Sequence, residues 1–118
     1  MDEFEACLAL RHVRGLGPKT WKRLLEAFST AANAIDHARS WTERGLTSPR
    51  ILAEFQGGVW REKAAEEAEQ IRRRGLSVLT WADDTYPDLL RAIPDPPLLL
   101  YTLGDTRLLR QPCVALVG

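Results

Sequence analysis

The sequence has few cysteines, no net charge and no long apolar run, and each of these excludes a class of protein. Only two cysteines occur among 118 residues, Cys7 and Cys113, and their wide separation argues against a disulfide framework. Sixteen Lys and Arg balance sixteen Asp and Glu, so no global field directs the chain to nucleic acid or to a membrane. No apolar stretch approaches the length that crosses a bilayer, and the acidic N-terminus is unlike a signal peptide. We therefore expect a soluble, cytoplasmic protein with two reduced thiols.

The composition that remains is that of a globular protein, with 45% apolar and 27% charged residues. A length of 118 residues fits one ordinary domain, or one small domain with part of another. Charge is distributed unevenly along the chain. Residues 11–23 hold five Lys and Arg and no acid, whereas residues 83–105 hold five Asp and a single Arg. Local patches, rather than net charge, are therefore the places to look for a charged partner.

Apolar spacing predicts a series of helices as far as Gly75. The clearest one follows Pro18, which suits a first helical turn. It carries apolar residues at i, i+3, i+4 and i+7, namely Trp21, Leu24, Leu25 and Phe28. The longest helix is predicted over residues 59–74, with acids early, arginines late and Gly75 as its stop. Shorter helices are predicted over residues 2–13, 31–38, 41–44 and 49–55.

After Gly75 the pattern changes to short strands and proline-rich turns. The run Pro94-Asp-Pro-Pro97 is too rich in proline for regular structure and predicts a rigid turn. A short helix is predicted before it, over residues 87–93. Strands are predicted over residues 76–80, 97–102 and 113–117.

Residues 14–18 read Arg-Gly-Leu-Gly-Pro and separate the first two predicted helices. Glycine tolerates positive φ and close backbone approach, so the two glycines predict a sharp turn with Leu16 pointing inward. The first amides of the next helix have no intrahelical partner and, together with the helix dipole, suit a phosphate oxygen. Basic side chains nearby would add ionic contacts that position nucleic acid without reading its sequence. The candidate DNA-binding residues are Arg14, Gly15, Gly17, Lys19, Lys22 and Arg23.

The same residues also fit a purely structural turn. A Gly-Leu-Gly segment before a helix occurs in plain αα-hairpins, where the basic side chains are simply solvated. Pro18 has no N–H and so removes one of the amide donors that would face a phosphate. Composition and spacing leave both interpretations open.

The stretch from Asp84 to Asp105 carries the most specific pattern in the chain. It contains a tyrosine-proline pair, spaced Leu and Ile, an Asp-Pro-Pro turn, an apolar segment with tyrosine and a Gly-Asp pair: Tyr86-Pro87, Leu90, Ile93, Asp95-Pro96-Pro97, Leu100-Tyr101 and Gly104-Asp105. This block resembles the lead-in of the DNA-processing protein A (DprA, also called Smf) family. The segment Val114-Ala-Leu-Val-Gly118 is similar to the first strand and loop glycine of that family's extended Rossmann-like domain. The Gly-Leu-Gly turn with its two helices resembles a helix-hairpin-helix and fits the family's sterile-alpha-motif-like (SAM-like) domain.

The resemblance implies a fold, a division of the chain and a function. The fold would be mostly α: a small SAM-like bundle with a helix-hairpin-helix over residues 1–75, then a short α/β connector over residues 76–118 that begins a truncated Rossmann-like domain. The function would be that of the N-terminal part of a bacterial protein that binds single-stranded DNA and loads the RecA recombinase in natural transformation. The family's main DNA pocket lies in the Rossmann-like domain, beyond its first strand. This part would therefore be an accessory, weakly DNA-binding module.

Other chemistries have less support in the sequence. His12 and His37 lack a third ligand at metal spacing, so we predict no metal and no cofactor. Asp83, Asp84 and Asp88 fit turn and capping roles better than a metal-binding cluster. No Ser-His-Asp or Cys-His arrangement has supporting context, so we do not expect an enzyme. The four tryptophans are expected to anchor the core: Trp21, Trp41, Trp60 and Trp81.

The alternative function is a protein–protein interaction or self-association module with no DNA contact of its own. Helical domains of this size often dock on a partner or on a second copy, and balanced charge suits that role. An exposed apolar patch near Trp41, Leu46 or Trp60 would favour it. The strand at residues 113–117 is expected either to be disordered or to pair through its open edge with another molecule, as in a homodimer.

Overall fold

A computed structural model of the chain describes residues 1–102. Within them lie six α-helices: α1 (Glu3–His12), α2 (Pro18–Phe28), α3 (Ala31–Asp36), α4 (Pro49–Gly57), α5 (Trp60–Arg74) and α6 (Asp88–Arg91). A 3₁₀ turn at Ala38–Ser40 follows α3, and the same part of the chain contains two strands, β1 (Ser77–Thr80) and β2 (Leu99–Thr102). The mostly α fold with a short α/β connector is thereby confirmed. The strand predicted at residues 113–117, the Gly104-Asp105 pair and the loop glycine Gly118 lie outside the described residues.

Helix α1 is the centre of the helical part. Its residues from Ala6 to Leu10 are at most 2% exposed, and the helix packs against α3 and α5. Three of these residues, Ala6, Cys7 and Ala9, are small, so neighbouring helices can approach α1 closely. The apolar stripe predicted for α2 is buried in full and joins the same core: Trp21, Leu24, Leu25 and Phe28.

Side-chain caps begin three of the helices. The side-chain oxygens of Asp2, Thr30 and Ser48 accept hydrogen bonds from first-turn amides of α1, α3 and α4. Helix α3 has a second cap from a distant residue, because the Glu3 carboxylate accepts from its first two amides at 2.8 and 2.9 Å. A carboxylate at a helix N-terminus also complements the helix dipole. Glu3 therefore ties the start of α1 to the start of α3.

The helix predicted over residues 41–44 is wrong. The Ser40 hydroxyl donates to the His37 carbonyl at 2.8 Å instead of accepting from a first-turn amide, so it provides no N-cap. The Leu46 N–H returns to the Trp41 carbonyl at 2.9 Å and closes a turn. Burial explains the difference, since the Trp41 side chain is 0% exposed and its indole N–H donates to a carbonyl of α3 at 2.8 Å. A series of turns, rather than a helix, wraps this side chain.

Helix α5 ends at the predicted glycine stop. Gly75 has a φ of +63°, and the Leu76 N–H bonds back to the Ile71 carbonyl at 3.3 Å, the closing bond of a Schellman motif. The predicted apolar stripe of the helix faces the core, with Ala68 half-buried and the others buried: Trp60, Ala64 and Ile71.

The two strands of the connector form an antiparallel pair, with Val78 opposite Tyr101 and Leu79 opposite Leu100. The chain between the strands contains α6 and the proline-rich turn. An antiparallel pair lets one face pack on the helices while the other carries a core of its own. Leu79, Tyr86 and Leu100 form that second, smaller core.

Three polar side chains bond to the backbone between the strands. Tyr86 is 1% exposed, and its hydroxyl donates to the Pro97 carbonyl at 2.5 Å. Arg91 donates to the carbonyls of Trp81 and Asp83 at 2.7 and 2.8 Å. The Asp83 carboxylate accepts from the last amide of β1 at 2.6 Å, which is the capping role predicted for it. The tyrosine-proline block therefore specifies a folded connector.

The connector packs directly on the helical part. Trp21 of α2 meets Trp81 edge to face, with ring centroids 5.7 Å apart. The Lys22 ammonium donates to the Ile93 carbonyl at 2.9 Å, and Leu99 of β2 lies in the main core with the helices. The division of the chain into two units after α5 stays a prediction.

Candidate nucleic-acid interface

The turn between α1 and α2 adopts the sharp bend that its two glycines predict. Helix α1 ends at His12, and Gly15 has a φ of +87°, a left-handed conformation that side chains disfavour. Leu16 is buried in the main core and anchors the turn. Gly17 is extended, with φ of −96° and ψ of −179°, and caps α2 without a side-chain hydrogen bond.

Two backbone amides at the start of α2 have no partner within residues 1–102. The Gly17 carbonyl accepts from the amides of Thr20 and Trp21 at 3.1 and 3.0 Å, which occupies those two donors. Pro18 has no N–H. Among the described residues, the amides of Gly17 and Lys19 form no hydrogen bond. Because the helix dipole places partial positive charge at this end of α2, the two amides can donate hydrogen bonds to an anion.

The basic residues predicted to assist divide into two pairs. Lys22 and Arg23 donate to backbone carbonyls, Lys22 to the connector at 2.9 Å and Arg23 to Gly45 at 3.0 Å. Arg14 and Lys19 are exposed, and neither forms an ion pair or side-chain hydrogen bond within the part of the chain that the structure describes. Two of the predicted cations are thus available at the turn, and two are engaged in structural contacts.

The turn is supported by helices other than the two that it joins. Helix α1 packs mainly on α3 and α5, and α2 packs mainly on α3. A Cβ added to Gly15 would lie 3.7 Å from Cγ1 of Ile51, so α4 lies directly against the bend. Neighbours on several sides fix the conformation of the turn, and with it the direction of the unpartnered amides.

A cleft beside the turn brings together polar residues that the sequence analysis did not connect. At its centre, Oε1 of Glu67 lies 2.5 Å from Nε2 of His12 and 3.5 Å from Nε of Arg11. Lys63 and Arg74 of α5 line the same cleft. On α5, Lys63, Glu67 and Arg74 fall at i, i+4 and i+11, which places them on one helical face and is the signal that could have revealed the cleft.

Neither metal chemistry nor a reactive thiol emerges from the described residues. No group of three or more His, Cys, Asp or Glu side chains within residues 1–102 could hold a metal ion. The Cys7 thiol lies 3.7 Å from a carboxylate oxygen of Glu3, and burial together with that negative charge raises the pKa of the thiol well above its ordinary value. Cys7 therefore stays protonated and serves as a core residue.

In the same range, none of the helices has the length and apolar character needed to cross a membrane.

The three residues at which an exposed apolar patch would have favoured protein docking are not exposed. Trp41 and Trp60 are 0% and 6% exposed, and Leu46 is half-buried. Their burial supports the predicted role of the tryptophans as core anchors. The large apolar side chains that residues 1–102 do expose are Met1, Val59, Leu89 and Ile93.

Comparison with known proteins identifies the family. Residues 77–118 match the family described as DNA recombination-mediator protein A. Protein Smf of Synechocystis sp. (strain ATCC 27184 / PCC 6803 / Kazusa) is 33% identical over 110 residues, which cover 82% of this chain and 25% of that protein. The chain thus spans about a quarter of the length of the curated relative it matches. No solved structure matches. The chain belongs to the DNA recombination-mediator protein A (Smf) family.

Proposed function

We propose that this chain is the N-terminal part of a recombination mediator and that its turn binds single-stranded DNA weakly, through phosphate groups. Membership of the family supports a role in DNA processing and recombination. The contact at the turn is accessory. It positions a strand and reads no sequence, because backbone amides and cations recognise phosphate rather than base edges.

One observation carries this proposal. The amides of Gly17 and Lys19 have no partner among residues 1–102, and the exposed cations Arg14 and Lys19 lie beside them. Amides at a helix N-terminus donate to a phosphate oxygen, and the cations neutralise its charge. With so few groups the affinity is low, and it falls as salt rises by a log-log slope of about 0.7 for each phosphate contact on a single strand.

The longer protein is proposed to do more than this chain does alone. Binding of single-stranded DNA would lead to loading of the RecA recombinase during natural transformation, in the cytoplasm and without catalysis, with a homodimer as a possible assembly. The matched relative is about four times as long as the region it shares with this chain. The few donors at the turn fit an accessory contact within that larger protein.

Fluorescence anisotropy of a labelled oligothymidylate at low salt tests the contact. The double variant Arg14→Ala/Lys19→Ala removes two cations from the turn, so we expect the affinity to fall about tenfold and the salt slope to fall by about 1.4. Lys22→Ala should leave the slope unchanged, because the Lys22 ammonium is bound to the Ile93 carbonyl.

The matched control removes the same charge elsewhere. Arg39 and Arg73 are exposed and distant in sequence from the turn, so Arg39→Ala/Arg73→Ala loses two cations without touching the proposed site. Its affinity should stay within about twofold of the unmodified chain. Equal losses in the two double variants would mean that binding follows net charge alone, and the turn would have no part in it.

Self-association or docking on a partner is a second candidate function. Two exposed apolar side chains, one in α6 and one just after it, favour this function. Leu89 is 83% exposed and Ile93 is 37% exposed, and the two are four residues apart. Light scattering over a concentration series should show a rising average mass that Leu89→Asp abolishes. A mass that stays monomeric at every concentration would contradict self-association.

A further inference from the structure

The cleft between α1, α5 and β2 has the size of a small-molecule site. Its volume is about 450 Å³, within the range of roughly 300–1,000 Å³ that is typical of ligand pockets. The walls combine charged, amide and apolar side chains. The polar groups and the aromatic ring that matter most are Arg11, Glu66, Gln70, Arg74 and Tyr101, and Lys63 also lines the cleft.

Two guanidinium groups line the cleft. Arg74 is the last residue of α5 and forms no ion pair within the described residues. Arg11 lies over the Tyr101 ring, 5.5 Å from its centroid, and shares the Glu67 carboxylate with His12. Guanidinium groups bind phosphate through two parallel hydrogen bonds, so the cleft is suited to a phosphate group.

Tyr101, which lines the cleft, has a buried hydroxyl that finds no partner among residues 1–102. The residue as a whole is 7% exposed. Buried polar groups in folded proteins almost always have one. An oxygen of a ligand in the cleft would supply the missing partner.

The remainder of the cleft does not suit a bare anion. Gln70 can donate and accept, and the exposed carboxylate of Glu66 accepts hydrogen bonds. Ile71 and Leu76 add apolar surface. A nucleoside matches these groups. Its base amino group and sugar hydroxyls can donate to Gln70 and Glu66, and the flat base can lie on the apolar surface.

We propose that this cleft binds a nucleoside monophosphate. Arg74 and Arg11 hold the phosphate beside Tyr101, and the nucleoside lies along Gln70 and Glu66. A free nucleotide and the 5′-phosphorylated end of a DNA strand present this same chemistry. The site goes beyond the DNA contact at the turn and does not depend on it.

Isothermal titration calorimetry of the 118-residue chain with AMP tests the site. We expect a dissociation constant below about 1 mM, and binding of adenosine at least about tenfold weaker because it lacks the phosphate. Arg74→Ala should weaken AMP binding by at least about tenfold, and Tyr101→Phe, which removes only the hydroxyl, by about threefold. Arg73→Ala, one residue away on α5 and outside the cleft, should change it by less than about twofold.

Parallel titrations with a 5′-phosphorylated oligothymidylate identify the source of the nucleotide. Lys63 lies three helical turns, about 16 Å, from Arg74 on α5. A strand that places a further phosphate near Lys63 would lose affinity in Lys63→Ala, whereas binding of free AMP would not. Weaker binding of the strand to Lys63→Ala would support the site as one for a phosphorylated DNA end. Saturable binding of AMP alone would support it as one for a free nucleotide.

Three results would overturn the proposal. The first is the absence of saturable binding of both AMP and the phosphorylated strand up to about 10 mM. The second is an equal loss in Arg73→Ala and Arg74→Ala. The third is loss of AMP binding in Lys19→Ala, which alters the turn and not the cleft. Circular dichroism and thermal melting of each variant separate loss of binding from loss of fold.

Discussion

The helical part and the connector of this chain are stabilised in different ways. In the helical part, apolar side chains at helical spacing fill the core, and polar side chains act mainly as caps. In the connector, a small core of Leu79, Tyr86 and Leu100 is supplemented by side chains that bond to backbone carbonyls. Tyr86 and Arg91 make the most important of these bonds.

This difference coincides with the place where the family match begins. An apolar core accepts many combinations of side chains as long as volume and pattern are kept. A network of directed hydrogen bonds requires particular residues at particular positions. The family match begins at residue 77, within the connector, whereas the match to protein Smf covers 82% of the chain and so includes much of the helical part.

The largest expected effect comes from the core of the helical part. Trp41 is fully buried and packs on Phe55 with ring centroids 5.1 Å apart, so Trp41→Ala should lower the free energy of unfolding by about 3–5 kcal/mol. Urea denaturation followed by circular dichroism measures this change. Leu89→Ala is the control, because an 83% exposed side chain should alter stability by less than about 0.5 kcal/mol. A loss below about 1 kcal/mol for Trp41→Ala would contradict the assignment of this core.

In the connector a polar residue should have the next largest effect on stability. Arg91→Ala leaves the carbonyls of Trp81 and Asp83 without their charged donor, so we expect a loss of about 2 kcal/mol in the same assay. Arg73→Ala removes an exposed arginine that pairs with Glu69 on α5 and should cost less than about 0.5 kcal/mol. Similar losses of unfolding free energy in Arg91→Ala and Arg73→Ala would contradict the view that directed hydrogen bonds stabilise the connector in particular.

The connector should also lose stability at alkaline pH. Burial raises the pKa of Tyr86 to about 12, against an opposing effect of Arg91. The folded state keeps the phenol proton above pH 10, where the unfolded chain releases it, so stability is complete below about pH 10 and is lost as pH rises toward 12. By pH 11 the loss relative to pH 8 should be about 1.4 kcal/mol. Tyr86→Phe should lack this component, and an identical pH dependence in the two proteins would exclude it.

The smallest effect concerns the turn and compares its two glycines. Gly15→Ala places a side chain at a φ of +87° and should cost about 1 kcal/mol. Gly17→Ala has an extended backbone and open space around the added Cβ, so only the weaker N-cap preference of Ala should count against it, at about 0.5 kcal/mol. Equal losses of stability in the two variants would contradict the assignment of the left-handed conformation to Gly15 and the extended one to Gly17.

Local pattern predicted the helical part well, for physical reasons. The stripe from Trp21 to Phe28 and the stop at Gly75 depend only on helical period and on glycine's access to positive φ. The failure at residues 41–44 has an equally definite cause. The Trp41 side chain is buried and its indole N–H bonds to a carbonyl of α3. These tertiary contacts outweigh the local capping pattern of Ser40, which is all that the sequence shows.

Contacts between residues distant in sequence could not be predicted in this way. The Glu3 carboxylate caps α3 from 28 positions away, and Lys22 reaches the Ile93 carbonyl across 71 positions. Both side chains look like ordinary surface charges in the sequence. For the same reason the turn was predicted with four assisting cations, of which two are committed to backbone carbonyls, and the cleft beside it was missed.

The central claim is that the amides of Gly17 and Lys19 donate to phosphate. Two-dimensional ¹H–¹⁵N NMR of the labelled chain during titration with oligothymidylate measures those amides directly. We expect saturable shifts at Gly17 and Lys19 that are larger than those of the α3 amides capped by Glu3, and that shrink as salt is added. If the signals of these two amides do not shift while those of other surface residues do, the claim that they donate to phosphate is contradicted.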